Sequence, residues 1–355
     1  MLNRNQLLEM RKKYLSPSLS LSYDKPLHIV RAKGQFLYDS KGDRYLDAVN
    51  NIQHVGHCHP KVVSAASEQY GILNTNTRYL DETVINYAKD LTNYLPNGLT
   101  TCFFTNSGSE SNDLALRLAR TATDSKETIV LDGAYHGHVS SLIDISPYKH
   151  NSKGGSGPPS YVHTVPMPDS YRGKYRGEEA LTGYIDELKN ILYSIKKNGK
   201  NISAFVVESI MGCGGQLILP DGFLERAFEL VRDEGGVCIA DEVQIGFGRV
   251  GSKFWGFETA NVQPDIVTMG KSMGNGHPLS VVVTKKQIAD KFNNGMEYFN
   301  SFGGNPVSCA VGKAVLNVIE DEKLQQNAHK VGEYLLKELK RLQGEFPLIG
   351  QVRGM

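Results

Sequence analysis

The stretch VCIADEVQIGFGRVG, residues 237–251, decides the fold reading. It opens as an unbroken apolar run, the pattern of a strand buried on both faces. It closes on two acids, Asp241 and Glu242, before breaking into glycine. Three explanations compete for those acids. Asp suits turns, so they can simply mark a strand end. GFGRVG also matches G-x-G-x-x-G at Gly246, Gly248 and Gly251, a dinucleotide signature. Or Asp241 is held inside to pair with one cationic atom of a cofactor. The dinucleotide explanation requires a helix opening at the glycines, but the following SKFWGFETANVQPD lacks helical periodicity and contains Gly256 and Pro264. That match is accidental, and the rest of the chain must choose between the other two.

Working outward, strand-like TCFFT, ETIVLD, YVHTV, AFVVES, VCIAD, DIVTMG and LSVVVT alternate with helix-period stretches such as SESNDLALRLAR, EEALTGYIDELKNILYSIKKNG and GFLERAFELVRDEGG. This predicts an α/β fold with a mostly parallel seven-stranded sheet covered by helices, over residues 60–310. Residues 1–59 read as an N-terminal arm followed by a hairpin, GQFLYDSKGDRYLDAV, turning at Ser40 to Asp43. Residues 311–355 read as the start of a C-terminal small domain. The pattern is helical from 306 to 343, and FPLIGQVRGM then begins a strand and stops, as in a fragment with an incomplete small domain.

The bulk properties narrow the partners. Among 355 residues, 39 basic and 38 acidic side chains leave a net charge of +1, with no long single-sign block, so neither nucleic acid nor an anionic membrane is expected. No apolar run approaches the ~20 residues of a membrane span. A small-molecule partner is the expectation. Five widely spaced cysteines, Cys58, Cys102, Cys213, Cys238 and Cys309, point to a reducing compartment without disulfides. The opening MLNRNQLLEMRKKYLSPSLSLSY is basic and Ser-rich, which suits a mitochondrial presequence and a short surface helix equally. The compartment is read as mitochondrial matrix or cytosol, leaning to the former.

Four stretches carry candidate chemistry. HVGHCHP packs His54, His57, Cys58 and His59 together, but near-adjacent residues rarely reach one tetrahedral ion and no second ligand element exists, so no metal is assigned. MGKSMG lacks the earlier glycine of a Walker loop, since Asp265 stands there. In TNSGSESND, Ser107, Gly108 and Ser109 lie where a strand turns into a helix, so backbone N–H groups, hydroxyls and the helix dipole can hold a phosphate. An ordinary N-cap would look the same. Lys271 leaves DIVTMG into a Gly-Asn-Gly loop, where a desolvated amine can act as a nucleophile. Cradle, buried acid and lysine together suggest pyridoxal 5'-phosphate.

DEVQIGFGRVG followed by DIVTMGKSMGNG, with NSGSESND, AYHGH and FGGNP, resembles the class III aminotransferases among the fold-type I pyridoxal phosphate enzymes, over nearly the whole chain. The runs NNIQHVGHCHP, LNTNTRYL, AYHGHVSSLIDISPYK, PDSYRGKYR and MGKSMGNGHP are similar to the alanine-glyoxylate aminotransferase 2-like group, which includes phospho-lyases. The resemblance implies that Lys271 binds the cofactor aldehyde and later takes the proton from the carbon bearing nitrogen. Asp241 would keep the pyridine nitrogen protonated, and Gln244 would bond the phenolic oxygen. Val243 would pack on one ring face and Tyr135 on the other, with His136 beside it and Glu208 on the substrate side. The amides of Gly108 and Ser109 and the Ser107 hydroxyl would hold the cofactor phosphate.

Ser301 stands where the family places a threonine that reaches the phosphate from a neighbouring subunit, so a homodimer or dimer of dimers is implied. The implied activity is elimination of phosphate from a phosphorylated amine, with Arg78, Lys149, Arg172, Lys174 and Arg176 as candidate substrate cations. The alternatives are an aminotransferase with the same core residues, or a catalytically silent relative, against which the intact Lys271, Asp241 and Gln244 argue.

Overall fold

The computed structural model describes residues 2–355. The chain forms two compact units: one of residues up to Asn50 together with Gly56–Pro60, the other of Asn51–Val55 and Lys61–Met355.

The smaller unit holds a helix, Arg4–Tyr14, closed by an Asn3 capping box, and a three-stranded antiparallel sheet of β1 (Ile29–Lys33), β2 (Phe36–Asp39) and β3 (Arg44–Leu46). β2 and β3 are the hairpin expected from the sequence. At its turn, Asp39 accepts the backbone N–H groups of Lys41 and Asp43.

The larger unit is built on seven strands. In chain order they are β4 (Leu99–Thr105), β5 (Glu127–Leu131), β6 (Val162–Val165), β7 (Ile202–Glu208), then, after a two-residue pair β8 (Ile210–Met211) and β9 (Leu217–Ile218), β10 (Val237–Asp241), β11 (Ile266–Met269) and β12 (Ser280–Lys285). Their order across the sheet is β4-β12-β11-β10-β7-β5-β6. All neighbours are parallel except β12, which runs antiparallel to β11 and β4. The link from β11 to β12 holds only a 3-10 turn, Lys271–Gly274, and is too short for a parallel crossover.

The unbroken apolar runs follow from burial on both faces: every residue of β5, β7, β10 and β11 is buried. Phe205 and Val207 pack with the helices Glu179–Lys197 and Phe223–Asp233, while Ala204 and Val206 pack with the helix Gly108–Thr123. In the first of those helices, Tyr184, Leu188, Leu192 and Ile195 recur at the helical period on the buried side. Each such side chain contributes roughly 1.5–3 kcal/mol by leaving water. The sheet is thus a middle layer between helices, the fold-type I architecture.

One expectation holds and two need amendment. GFGRVG forms turns and no helix opens at its glycines, as the periodicity indicated. The helical stretch from 306 is two helices, Pro306–Asp321 and Leu324–Glu345, because Lys323 adopts φ +52° between them. FPLIGQVRGM forms no strand: among the described residues no sheet edge pairs with it, and an unpaired strand has nothing to stabilise it.

Candidate active site

The carboxyl ends of β4, β5, β7, β10 and β11 share one edge of the sheet, where ligands of open α/β sheets bind. A cavity of about 380 Å³ opens there, lined among others by Ser107, Gly108, Tyr135, Glu208, Asp241 and Lys271. Ser109, His136, Val243 and Gln244 line it too, so every core residue implied by the resemblance converges on it except Ser301.

Ser107 is the N-cap of the helix Gly108–Thr123, its hydroxyl accepting from Glu110 N at 3.2 Å. The first-turn N–H groups of that helix have no intrahelical acceptor and remain for an anion. Gly108 must be glycine: a Cβ there would lie 2.8 Å from Val243 Cγ1, so the cradle and the wall beside it are in direct contact. Ser109 is held by His138, whose N–H donates to its Oγ at 3.1 Å.

Asp241 is buried at 4% exposure, so its placement is deliberate rather than a turn preference. Its Oδ2 lies 2.8 Å from His136 Nδ1 and accepts Asn112 Nδ2 at 2.8 Å, while its Oδ1 accepts Val243 N at 3.1 Å. β10 and β7 in register bring Asp241 opposite Glu208. Glu208 accepts the backbone N–H groups of Tyr135 and Gly212, yet burial pushes its pKa up to about 7. Lys271 is half-buried, makes no ion pair among the described residues, and takes φ +40°, a left-handed conformation that costs energy for a lysine and marks functional turns. Burial lowers its pKa, against the pull of Asp241. Gln244 accepts Asn51 Nδ2 on its Oε1 at 2.9 Å, while its Nε2 donates one N–H to Cys213 Sγ at 3.9 Å and keeps a second N–H to donate.

None of the five candidate substrate cations lines the cavity; Lys149, itself exposed, lies against Tyr135, which does. Its ammonium lies 5.7 Å from the centre of the Tyr135 ring and 5.4 Å from that of Tyr148. Arg78 pairs with Glu297 and covers Phe299. Lys174 pairs with Glu187, Arg176 bonds Gly173 O, and Arg172 is exposed on the same loop, so none of these lines the cavity. Ser301 is exposed and also lies outside this chain's own cavity; it follows Asn300, which bonds Asn106 beside the cradle. The grouped histidines separate: His57 pairs with Asp47, and His54 bonds Phe247 O. Among the described residues no three His, Cys, Asp or Glu side chains form a metal-holding group.

Sequence reasoning missed Asn112. It lies one helical turn beyond Gly108 and is buried, donating to Asp241 and to His136 O while accepting from Thr268 Oγ1. The only signal was an amide on the apolar face of an amphipathic helix, which burial makes costly unless fully bonded.

A phosphate-sized cradle, a half-buried amine and a buried carboxylate with room on one oxygen fit pyridoxal 5'-phosphate, and they mark a cofactor-dependent enzyme of fold type I. The chain belongs to the class III aminotransferase family, whose model matches residues 20–355. It is 49% identical, over 99% of its length and 73% of the relative, to alanine–glyoxylate aminotransferase 2-like of Drosophila melanogaster. It is 42% identical to ethanolamine-phosphate phospho-lyase homolog 1 of Caenorhabditis elegans, covering 99% of this chain and 78% of that one. A phospholyase from Arthrobacter, solved in complex with phosphoethanolamine, superposes with a TM-score of 0.93 at 38% identity, covering 98% of this chain and 82% of that one.

Proposed function

We propose that the chain is a phospho-lyase that converts phosphoethanolamine and water to acetaldehyde, ammonia and phosphate, with 5-phosphohydroxylysine as the next substrate in order. The observation that carries this is the likeness to the Arthrobacter phospholyase solved with phosphoethanolamine. Lys149, beside Tyr135, adds a cation for a second phosphate.

When bound, the cofactor supplies an electron-withdrawing ring that stabilises negative charge on the carbon next to the substrate nitrogen. Asp241 holds a proton at the ring nitrogen, and His136 and Asn112 hold Asp241. The Lys271 amine takes the proton from the carbon bearing nitrogen. Gln244 would donate to the cofactor's phenolic oxygen, Val243 and Tyr135 would pack against its ring, and Glu208 would lie toward the substrate. Ser107, Gly108 and Ser109 hold the cofactor phosphate. Lys149 binds the substrate phosphate that leaves from the adjacent carbon.

The second reading is an aminotransferase with the same core, favoured by the naming of the Drosophila relative. The neighbouring segments 72–80 and 297–307 expose Ile72, Tyr79, Leu80 and Phe302, and Thr77 touches Gly304 between them. Such an apolar surface supports a homodimer, with Ser301 offered to a partner's site. For the compartment, the basic, Ser-rich opening stretch supports the mitochondrial matrix.

Incubating the protein with phosphoethanolamine, with and without a keto acid, tests the activity. Equal phosphate and ammonia without the keto acid is the expected result. Turnover that requires pyruvate or glyoxylate and releases no phosphate selects the aminotransferase.

A further inference from the structure

Arg249 lies in the turn after β10 and has no part in the site as described so far. Its Nε is buried without a partner, and the partners of its Nη2 are all neutral: Asn51 O at 2.9 Å, His54 Nδ1 at 3.0 Å and Ser272 Oγ at 3.2 Å. A carbonyl only accepts, so the 2.7 Å contact of His54 Nε2 with Phe247 O puts the ring proton on Nε2 and leaves Nδ1 to accept from Arg249. Burial, and then the charge of Arg249, push His54 down to about 4, so this imidazole is a neutral acceptor. Arg249 is therefore a half-buried cation whose bonded partners, among the described residues, carry no counter-charge, an arrangement that costs energy.

What it holds gives the arrangement a purpose. Asn51, whose carbonyl Arg249 binds, uses its side chain to occupy Gln244 Oε1; with one amide N–H of Gln244 on Cys213 Sγ, the second N–H is the group left for the cavity. Ser272 directly follows Lys271 in the 3-10 turn with the left-handed lysine. The charged and ionisable groups acting on the Lys271 amine are Asp241, Cys213, Glu208 and Arg249, and Arg249 is the one cation among them.

We propose that Arg249 is a positioning residue for the lysine site. It braces Asn51 so that Gln244 presents its amide nitrogen, holds the Lys271 turn through Ser272, and by its uncompensated charge disfavours a second cation at Lys271. The proposal rests on Lys271 as the cofactor-binding lysine and is independent of the substrate.

The test uses the full chain. Cofactor-free protein is labelled with limiting acetic anhydride across a pH series and acetylation of Lys271 is read by mass spectrometry; release of pyridoxal phosphate from holoprotein is followed by absorbance. Arg249→Gln should move the labelling midpoint upward by roughly half a pH unit or more, since a nearby positive charge is lost. Arg249→Lys keeps the charge and loses the geometry, so its midpoint should move less than half as far while cofactor release accelerates about threefold or more. If Arg249→Gln does not fold, Ser272→Ala takes its place, with an unchanged midpoint and faster cofactor release expected. A folded Arg249→Gln with wild-type midpoint and release overturns the proposal. So does an equal midpoint shift in Arg249→Lys, or wild-type cofactor release in both Arg249→Lys and Ser272→Ala. Borohydride reduction of wild-type holoprotein, which maps the cofactor lysine, separates these outcomes from a wrong choice of lysine.

Discussion

Asn112 Nδ2 donates to Asp241 Oδ2 at 2.8 Å from one turn beyond Gly108, so a single helix both opens at the candidate cradle and orients the buried acid. Its other bonds, to His136 O and from Thr268 Oγ1, leave it no freedom to move. Asn112→Leu removes these bonds from buried partners and should cost roughly 1–3 kcal/mol in urea unfolding. Turnover should fall in the same variant while cofactor phosphate binding persists.

Asp241→Asn should leave the cofactor bound and slow proton abstraction by on the order of 10²-fold or more, because a neutral amide does not hold the ring nitrogen protonated. Pre-steady-state absorbance after mixing with substrate measures the step. Near-normal rates in the folded variant would remove this role from Asp241.

Borohydride treatment of holoprotein should fix the cofactor irreversibly to Lys271, located by peptide mass mapping. An adduct on any other lysine would reassign the amine.

Lys149→Gln should raise KM for phosphoethanolamine by about tenfold with little change in kcat, the signature of lost uniform binding. The double variant Arg172→Gln, Arg176→Gln should stay near wild type, because Lys149 lies against Tyr135 of the cavity wall whereas Arg176 turns to Gly173 O and Arg172 is exposed. Steady-state kinetics with phosphate detection distinguishes them; the opposite ranking would move the substrate anion site to the 172–176 loop.

Glu242 is buried and accepts Ser209 Oγ and the N–H groups of Gly256 and Phe257, and burial pushes its pKa up to about 7. A carboxyl whose folded pKa is raised binds its proton more tightly in the native state, so its contribution to stability falls as pH rises from 4.5 to about 7. Neutral His54 acts with the opposite sign, costing stability as pH falls from 6.5 to about 4, so the total profile mixes both. The difference between Glu242→Gln and wild type isolates the carboxyl: unfolding free energies across pH 4.5–7 should show the variant gaining relative stability toward pH 7. A constant difference across that window would refute the assignment.

The local pattern of the sequence determined the sheet and the residues that line the candidate site. The strands of the sheet are buried on both faces and so must be apolar throughout, which leaves Asp241 and Glu208 conspicuous at their ends. Gly108 and Lys271 were legible because a cradle and a flexible turn each demand particular residue types at fixed spacing from a strand. The tertiary structure alone decided what fixes those groups. Asn112, Asn51, His54 and Arg249 act across separations of 129 to 198 residues, and an amide, an imidazole or a guanidinium looks the same in sequence whether it is solvated or fully bonded. The approach of Lys149 to Tyr135 was likewise a matter of packing: the Tyr148 N–H bonds Ala134 O and folds that segment back, a contact between loops that no local period encodes.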